Sequence, residues 1–202
     1  MIKVKFCGLT RIQDIEIANR LKPEYIGFVF YPPSKRNVSP ESARILKSRL
    51  SEDIKAVGVF VDEPVKNVLQ LLDENIIDIV QLHGSEDEEY IAQLRKFTSK
   101  SIIKAFRIDN RKDVEIAKDC SADYILLDSG TGGTGQSFDW DLISEIKRPY
   151  FLAGGLDINN ADKVNKYHPY AVDVSSGIET DGIKDERKMT AFIDTVRNLK
   201  GR

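Results

Sequence analysis

The chain predicts a fold of the α/β class, a closed (β/α)8 TIM barrel. Eight apolar runs rich in Val, Ile, Phe and Tyr recur along it, each followed by a helix-like stretch with its charges on one face. The runs are continuous rather than alternating, which fits strands buried on both faces, as in a parallel sheet. No Pro/Ser-rich linker or low-complexity tract divides the 202 residues, so a single domain over residues 1–202 is expected, near the lower size limit for this architecture. The rival is an open doubly wound sheet. That fold usually has fewer strands for its length and a glycine fingerprint after the first strand, where this chain reads CGLT.

The first strand, residues 2–7, gives way at Cys7 to Gly8, Leu9 and Thr10 and then to a helical pattern. The second, 25–30, runs into FVFYPPSKR, and Ser39 followed by Pro40 suits the N-cap and first turn of the next helix. After strand 56–61, Glu63 with Pro64 gives a similar signal, and strand 77–82 ends in QLHG. Strand 102–106 precedes Asn110, a cap before Arg111, and strand 124–127 ends in YILLD ahead of SGTGGTGQSFDW, where Asp139 stands before Trp140 as a cap. Strand 150–153 ends in FLAGGL with a helix expected near Asp157, and strand 170–174 ends in AVDVSSGIE. In a barrel all eight C-terminal strand ends open on one mouth, where groups distant in sequence share a pocket.

Composition narrows the function classes. A net charge of −2 with 31% charged residues provides no global basic field, so nucleic acid is not an expected partner. No segment approaches membrane-spanning length and no small-residue cleavage site follows the brief apolar run at the N-terminus, so a soluble cytoplasmic protein without a membrane partner is expected. The two cysteines, Cys7 and Cys120, lack CxxC spacing, and the only histidines are His83 and His168. Neither a disulfide framework nor a metal centre is suggested. No feature of the chain specifies an oligomeric state.

Several strand-end residues carry chemistry, each beside a plainer reading. Cys7 is a thiol released at a strand end, placed for catalysis or simply buried as many free cysteines are. Asp128 closes YILLD; shielding from water raises a carboxyl's pKa and fits it to donate a proton near neutrality, while a loop Asp also commonly caps a turn. The following loop nearly spells a P-loop, Gly130 to Ser137, but Gln136 stands where its lysine would be, so a cover over the barrel mouth is preferred to a nucleoside triphosphate site. Gly154 and Gly155 after the seventh strand, and Ser175, Ser176 and Gly177 after the eighth, match where barrels bind phosphate through backbone N–H groups and a helix N-terminus, or are ordinary turn chemistry. Arg36 has the fork that grips a planar carboxylate, or belongs to a solvated basic loop. His83 is a pocket wall or a structural histidine, and Asp173 an internal hydrogen-bonding group or part of the phosphate pocket floor.

Taken together, KFCGLT, GFVFYPPSKR, VGVFVDE, VQLHG, LLDSGTGGTGQSFDW, LAGGL and AVDVSSGIE, in order along nearly the whole chain, resemble the phosphoribosylanthranilate isomerase family of tryptophan biosynthesis. The resemblance implies a (β/α)8 barrel that carries out an Amadori rearrangement of a small-molecule sugar phosphate. It implies Cys7 as general base, Asp128 as general acid, Arg36 as the contact to the substrate carboxylate, and Gly154, Gly155, Ser175, Ser176 and Gly177 as the phosphate loops. His83 and Asp173 fall among the substrate-binding positions. Neither a metal nor an organic cofactor is needed, because the substrate carries its own electron sink in the aniline nitrogen. A histidine-pathway sugar-phosphate isomerase would use two aspartates, against which Cys7 argues; a non-catalytic phospholigand-binding module would leave Cys7 merely buried.

Overall fold

In a computed structural model, which describes residues 1–128, 140–143 and 145–199, the apolar runs form eight parallel strands. These are β1 (Lys3–Cys7), β2 (Tyr25–Phe30), β3 (Lys55–Phe60), β4 (Ile79–Leu82), β5 (Ile102–Arg107), β6 (Tyr124–Asp128), β7 (Tyr150–Leu152) and β8 (Ala171–Val174). They pair in sequence order, and β8 returns to β1 with Lys5 opposite Asp173, closing the barrel.

Successive side chains of a strand point to opposite faces, and here both faces are buried. One set, including Phe6, Phe28, Phe60 and Leu127, packs with helical residues such as Ile15, Leu72 and Phe192 in the outer core. The other set, Tyr25, Val57, Ile103, Leu126, Phe151 and Ala171, forms a separate cluster that fills the barrel interior. Lys5, Gln81 and Asp173 share the interior parity and are buried. A charge there is tolerable only when paired. Lys5 Nζ donates to Asp173 Oδ2 at 2.7 Å and to Gln81 Oε1 at 2.8 Å. The N-terminal end of the barrel is closed by Lys3, which donates to Tyr170 at 2.6 Å, with the Tyr25 hydroxyl 3.0 Å from that of Tyr170.

Five helices follow the first five strands: α1 (Ile12–Leu21), α2 (Pro40–Lys47), α3 (Val65–Asp73), α4 (Glu88–Arg95) and α5 (Arg111–Asp119). The β1–α1 turn is tied by buried Asp14, whose carboxylate accepts from the backbone N–H groups of Thr10 and Arg11 at 3.0 Å each. Ser39 caps α2 by accepting from Ser42 N–H at 3.1 Å, with Pro40 in the first turn, and Asn110 caps α5 with Asp113 reciprocating, both as expected. The cap of α3 is shifted by one residue from expectation. Pro64 takes that position, and Glu63 instead accepts from the Asn67 side chain at 2.6 Å. β4 begins two residues later than its apolar run because Ile76 and Ile77 belong to the α3 exit, their N–H groups returning to Leu71 O after left-handed Asn75.

The last units depart furthest from regular helices. Asp139 lies outside the described residues, and Trp140–Ile143 is a 3₁₀ turn. No helix starts near Asp157. Asp157 accepts from Asn159 N–H at 2.7 Å, and Asn160 both accepts from Asp157 N–H and donates to Gly155 O. Such local side-chain bonds compete with a helical first turn, and the segment becomes 3₁₀ only over Ala161–Tyr167. After β8 comes a 3₁₀ turn, Ser176–Ile178, then the hairpin β9 (Glu179–Thr180) and β10 (Ile183–Lys184), then α6 (Glu186–Arg197). Asp181 and Gly182 both have positive φ, the requirement of a tight type I′ hairpin turn. Among the described residues, no helix is long and apolar enough to cross a membrane.

Candidate active site

The C-terminal strand ends enclose a cavity of about 400 Å³. Cys7 and Asp128 are the last residues of β1 and β6, His83 follows β4, Gly154 and Gly155 lie beyond β7, and Ser175 and Ser176 follow β8. With Arg36 from the loop after β2 and Asp173 within β8, these nine residues singled out from the sequence all line the cavity. The tenth, Gly177, does not. A side chain there would place its Cβ 1.9 Å from Leu156 O and 2.9 Å from Asp157 Cα, so this glycine lets the two phosphate-type loops pack backbone to backbone. A larger groove of about 650 Å³ opens beside α4 and α5 and includes Cys120. Its buried charges Lys104 and Glu86 satisfy each other at 3.0 Å, so size does not mark the chemical site.

Cys7 is half-buried, with Gly27 opposite it in register; a Cβ at Gly27 would stand 2.8 Å from the thiol sulfur. Burial pushes the Cys7 thiol above its ordinary pKa, and Asp173 adds to this, while Lys5 and Lys184 pull it back only in part. Burial pulls the Lys5 ammonium down, but Asp173 and Cys7 more than compensate, and its pKa lies above the ordinary lysine value. The thiol therefore has a resident cation beside it in the barrel core.

Across the mouth, Asp128 Oδ2 stands 3.5 Å from His83 Nε2, and His83 Nδ1 lies 3.0 Å from Gln81 Nε2. Asp128 Oδ1 is buried and has no hydrogen-bond partner among the described residues. A buried acceptor left without a donor costs about 1–3 kcal/mol.

Arg36 does not stand alone in its loop. Its Nε and Nη2 form a bidentate pair with Glu179 Oε1 and Oε2 at 2.7 Å each, and Lys184 Nζ contacts the same carboxylate at 2.5 Å. Burial would raise the Glu179 carboxyl, yet Arg36 and Lys184 hold it below the usual carboxylate range. Gly8, at φ +77°, leaves the room this arrangement needs, since a Cβ there would meet Arg36 Cδ at 2.4 Å. Lys184 also donates to Ser175 O at 3.0 Å, and Ser175 Oγ to Cys7 O at 3.1 Å, which joins the hairpin to both β8 and β1. Gly154 and Gly155 have φ of 84° and 64°, a consecutive left-handed pair that side-chain-bearing residues rarely adopt. The glycine-rich stretch from Gly130 to Ser137 lies outside the described residues.

Sequence reasoning missed Lys5, Gln81, Glu179 and Lys184. The first two carry a readable signal, a polar residue flanked by apolar ones inside KVKFC and IVQL at interior parity. Glu179 and Lys184 depend on the hairpin, for which Asp181-Gly182 between short runs is the cue.

A family model described as N-(5'phosphoribosyl)anthranilate (PRA) isomerase matches residues 4–195. An N-(5'-phosphoribosyl)anthranilate isomerase of Clostridium acetobutylicum is 47% identical to the chain, covering 99% of it and 100% of the relative. One from Thermoanaerobacter sp. is 45% identical at the same coverages. The crystal structure of phosphoribosyl anthranilate isomerase from Thermotoga maritima superposes with a TM-score of 0.91 at 37% identity, covering 98% of this chain and 100% of that one. A phosphoribosyl anthranilate isomerase in complex with reduced 1-(o-carboxyphenylamino)-1-deoxyribulose 5-phosphate gives a TM-score of 0.88 at 36% identity, with the same coverages.

Proposed function

The chain belongs to the N-(5'-phosphoribosyl)anthranilate isomerase family, and from that premise we propose that its strand-end cavity performs the rearrangement with Cys7 as base and Asp128 as acid. It is an isomerase of tryptophan biosynthesis. The observation that carries the residue assignment is the placement of a thiol on β1 and a carboxyl on β6 around one cavity, with Asp128 Oδ1 left unpartnered among the described residues.

In this reading Asp128 delivers a proton to the furanose ring oxygen, the C1–O bond breaks, and the aniline nitrogen takes the positive charge as an iminium. That charge acidifies the hydrogen on C2. The Cys7 thiolate removes it, the C2–H electrons form the C1–C2 double bond, and the iminium is neutralised to an enolamine. Tautomerisation then moves the O2 proton to C1 and gives the aminoketose. The decisive experiment incubates the purified chain with N-(5'-phosphoribosyl)anthranilate and follows 1-(2-carboxyphenylamino)-1-deoxyribulose 5-phosphate; no product from folded protein would sink the proposal. A cytoplasmic location accords with the free thiols Cys7 and Cys120, which suit a reducing compartment.

Phosphate is assigned to the β7 and β8 loops. Because backbone donors do the binding, bulk should harm more than loss of a hydroxyl. Gly155→Val, which also forces a side chain onto φ +64°, is expected to weaken binding of a sugar-phosphate product analogue far more than Ser176→Ala, as read by calorimetry on folded variants. Equal affinities would move the phosphate elsewhere.

Arg36 is assigned to the anthranilate carboxylate. Its Nε and Nη2 serve Glu179, and Nη1 has no partner among the described residues. Glu179 then fixes the guanidinium plane while Nη1 meets the ligand. A hydrogen bond to a charged group contributes about 1.5–3 kcal/mol, so Arg36→Met should weaken a carboxylated product analogue roughly 10–100-fold. The decarboxylated analogue should be nearly unaffected; equal weakening of both would remove Arg36 from the role.

A further inference from the structure

The chain of polar contacts across the barrel interior has a direction fixed by chemistry. A lysine ammonium has only donors. Lys5 Nζ lies 2.8 Å from one end of the Gln81 amide, which must therefore be its oxygen, Oε1. The other end is then the NH₂ group, a donor, and it faces His83 Nδ1 at 3.0 Å. For that contact to be a hydrogen bond, Nδ1 must be the unprotonated nitrogen of the ring. A neutral imidazole carries its proton on the remaining nitrogen, Nε2, which faces Asp128 Oδ2 at 3.5 Å.

We infer that Gln81 is a positioning residue: it uses the buried Lys5 charge to hold His83 as the Nε2–H tautomer, so that His83 directs its proton at Asp128 Oδ2 and orients the carboxyl at the end of β6. At 3.5 Å the His83 contact is longer than a normal hydrogen bond, and such contacts commonly tighten when ligand binds. Lys5 sits beside Cys7 as well, so a single cation steadies the base and, through Gln81 and His83, orients the acid. The kinetic part of the inference rests on the proposed role of Asp128; the tautomer does not.

The tautomer is read directly by nitrogen NMR. In ¹⁵N-labelled protein carrying His168→Asn, His83 is the only histidine, and asparagine suits the left-handed φ of 47° at position 168. At a pH where His83 is neutral, Nε2 should show the shift of a protonated nitrogen and Nδ1 that of a bare one. A protonated Nδ1, or an even mixture, would overturn the inference whatever the activity. Gln81→Met removes the donor, and Gln81→Glu keeps an acceptor for Lys5 while replacing the donor with an oxygen. Both should change the His83 nitrogen pattern. A wrong tautomer beside a reacting group is damaging out of proportion to the structural change, so kcat should fall about tenfold or more in both variants with little change in product-analogue affinity. Parental kcat in folded Gln81→Met with an altered nitrogen pattern would refute the positioning role while leaving the acid assignment intact.

Discussion

Replacing Cys7 by serine is expected to lower kcat by about 10²–10⁴-fold, the range a positioned acid or base commonly supplies, while binding of a product analogue is almost unchanged. The hydroxyl has a similar shape but is a far weaker base than a thiolate, so C2 proton abstraction becomes the slow step. Substrate deuterated at C2 should then show a larger isotope effect than it does with the parent protein. The parent itself has a predicted pH signature. Burial holds the Cys7 thiol above its ordinary pKa despite Lys5 and Lys184, and only the deprotonated form is a base. In the free enzyme the thiolate fraction therefore grows as pH rises through that elevated pKa, and kcat/KM should climb on the alkaline side of neutrality before levelling off. In Cys7→Ser this rise should disappear from the accessible range. Near-parental turnover in Cys7→Ser, or a pH profile that keeps its alkaline rise in the serine variant, would remove Cys7 from the base position.

The sequence makes the barrel and most of its mouth legible for one reason: a parallel strand buried on both faces writes a continuous apolar run, and its last residue is placed at the mouth by the fold rather than by local chemistry. Cys7 and Asp128 each end such a run, at β1 and β6. Gly154, Gly155, Ser175 and Ser176 follow the next strand ends and line the same cavity. What escaped was whatever depends on partners remote in sequence. The fork of Arg36 is legible, but Glu179, which holds it, comes from the hairpin after β8, 143 residues away. Lys5 carries an interior-parity signal inside KVKFC, but its partner Asp173 meets it only when β1 closes on β8. Gly177 is read for its backbone N–H after the eighth strand, and the structure adds a separate reason for a glycine there, since a Cβ would stand 1.9 Å from Leu156 O. The helix expected at Asp157 failed because asparagine and aspartate side chains in that turn bind the backbone groups a helix would have used.

Asp128→Asn should produce an equally large loss of turnover with the opposite isotope signature. The amide keeps nearly the same shape, so His83 and the strand end of β6 retain their places, but an amide has no acidic proton to give the ring oxygen. Ring opening then becomes slow, and it precedes any cleavage of the C2–H bond. Because deuterium at C2 affects only steps at or after that cleavage, the isotope effect on kcat/KM should shrink toward unity in this variant while it grows in Cys7→Ser. The two variants together separate the roles in a way that rates alone do not, since each loses about 10²–10⁴-fold. A second readout uses a substrate analogue that is already ring-opened: its enolisation needs the Cys7 base but no proton at the ring oxygen, so Asp128→Asn should process it much closer to the parental rate than it does the closed furanose. A large C2 isotope effect in Asp128→Asn, or equal impairment on open and closed forms, would mean that ring opening does not depend on Asp128 and that another group at the mouth protonates the ring oxygen.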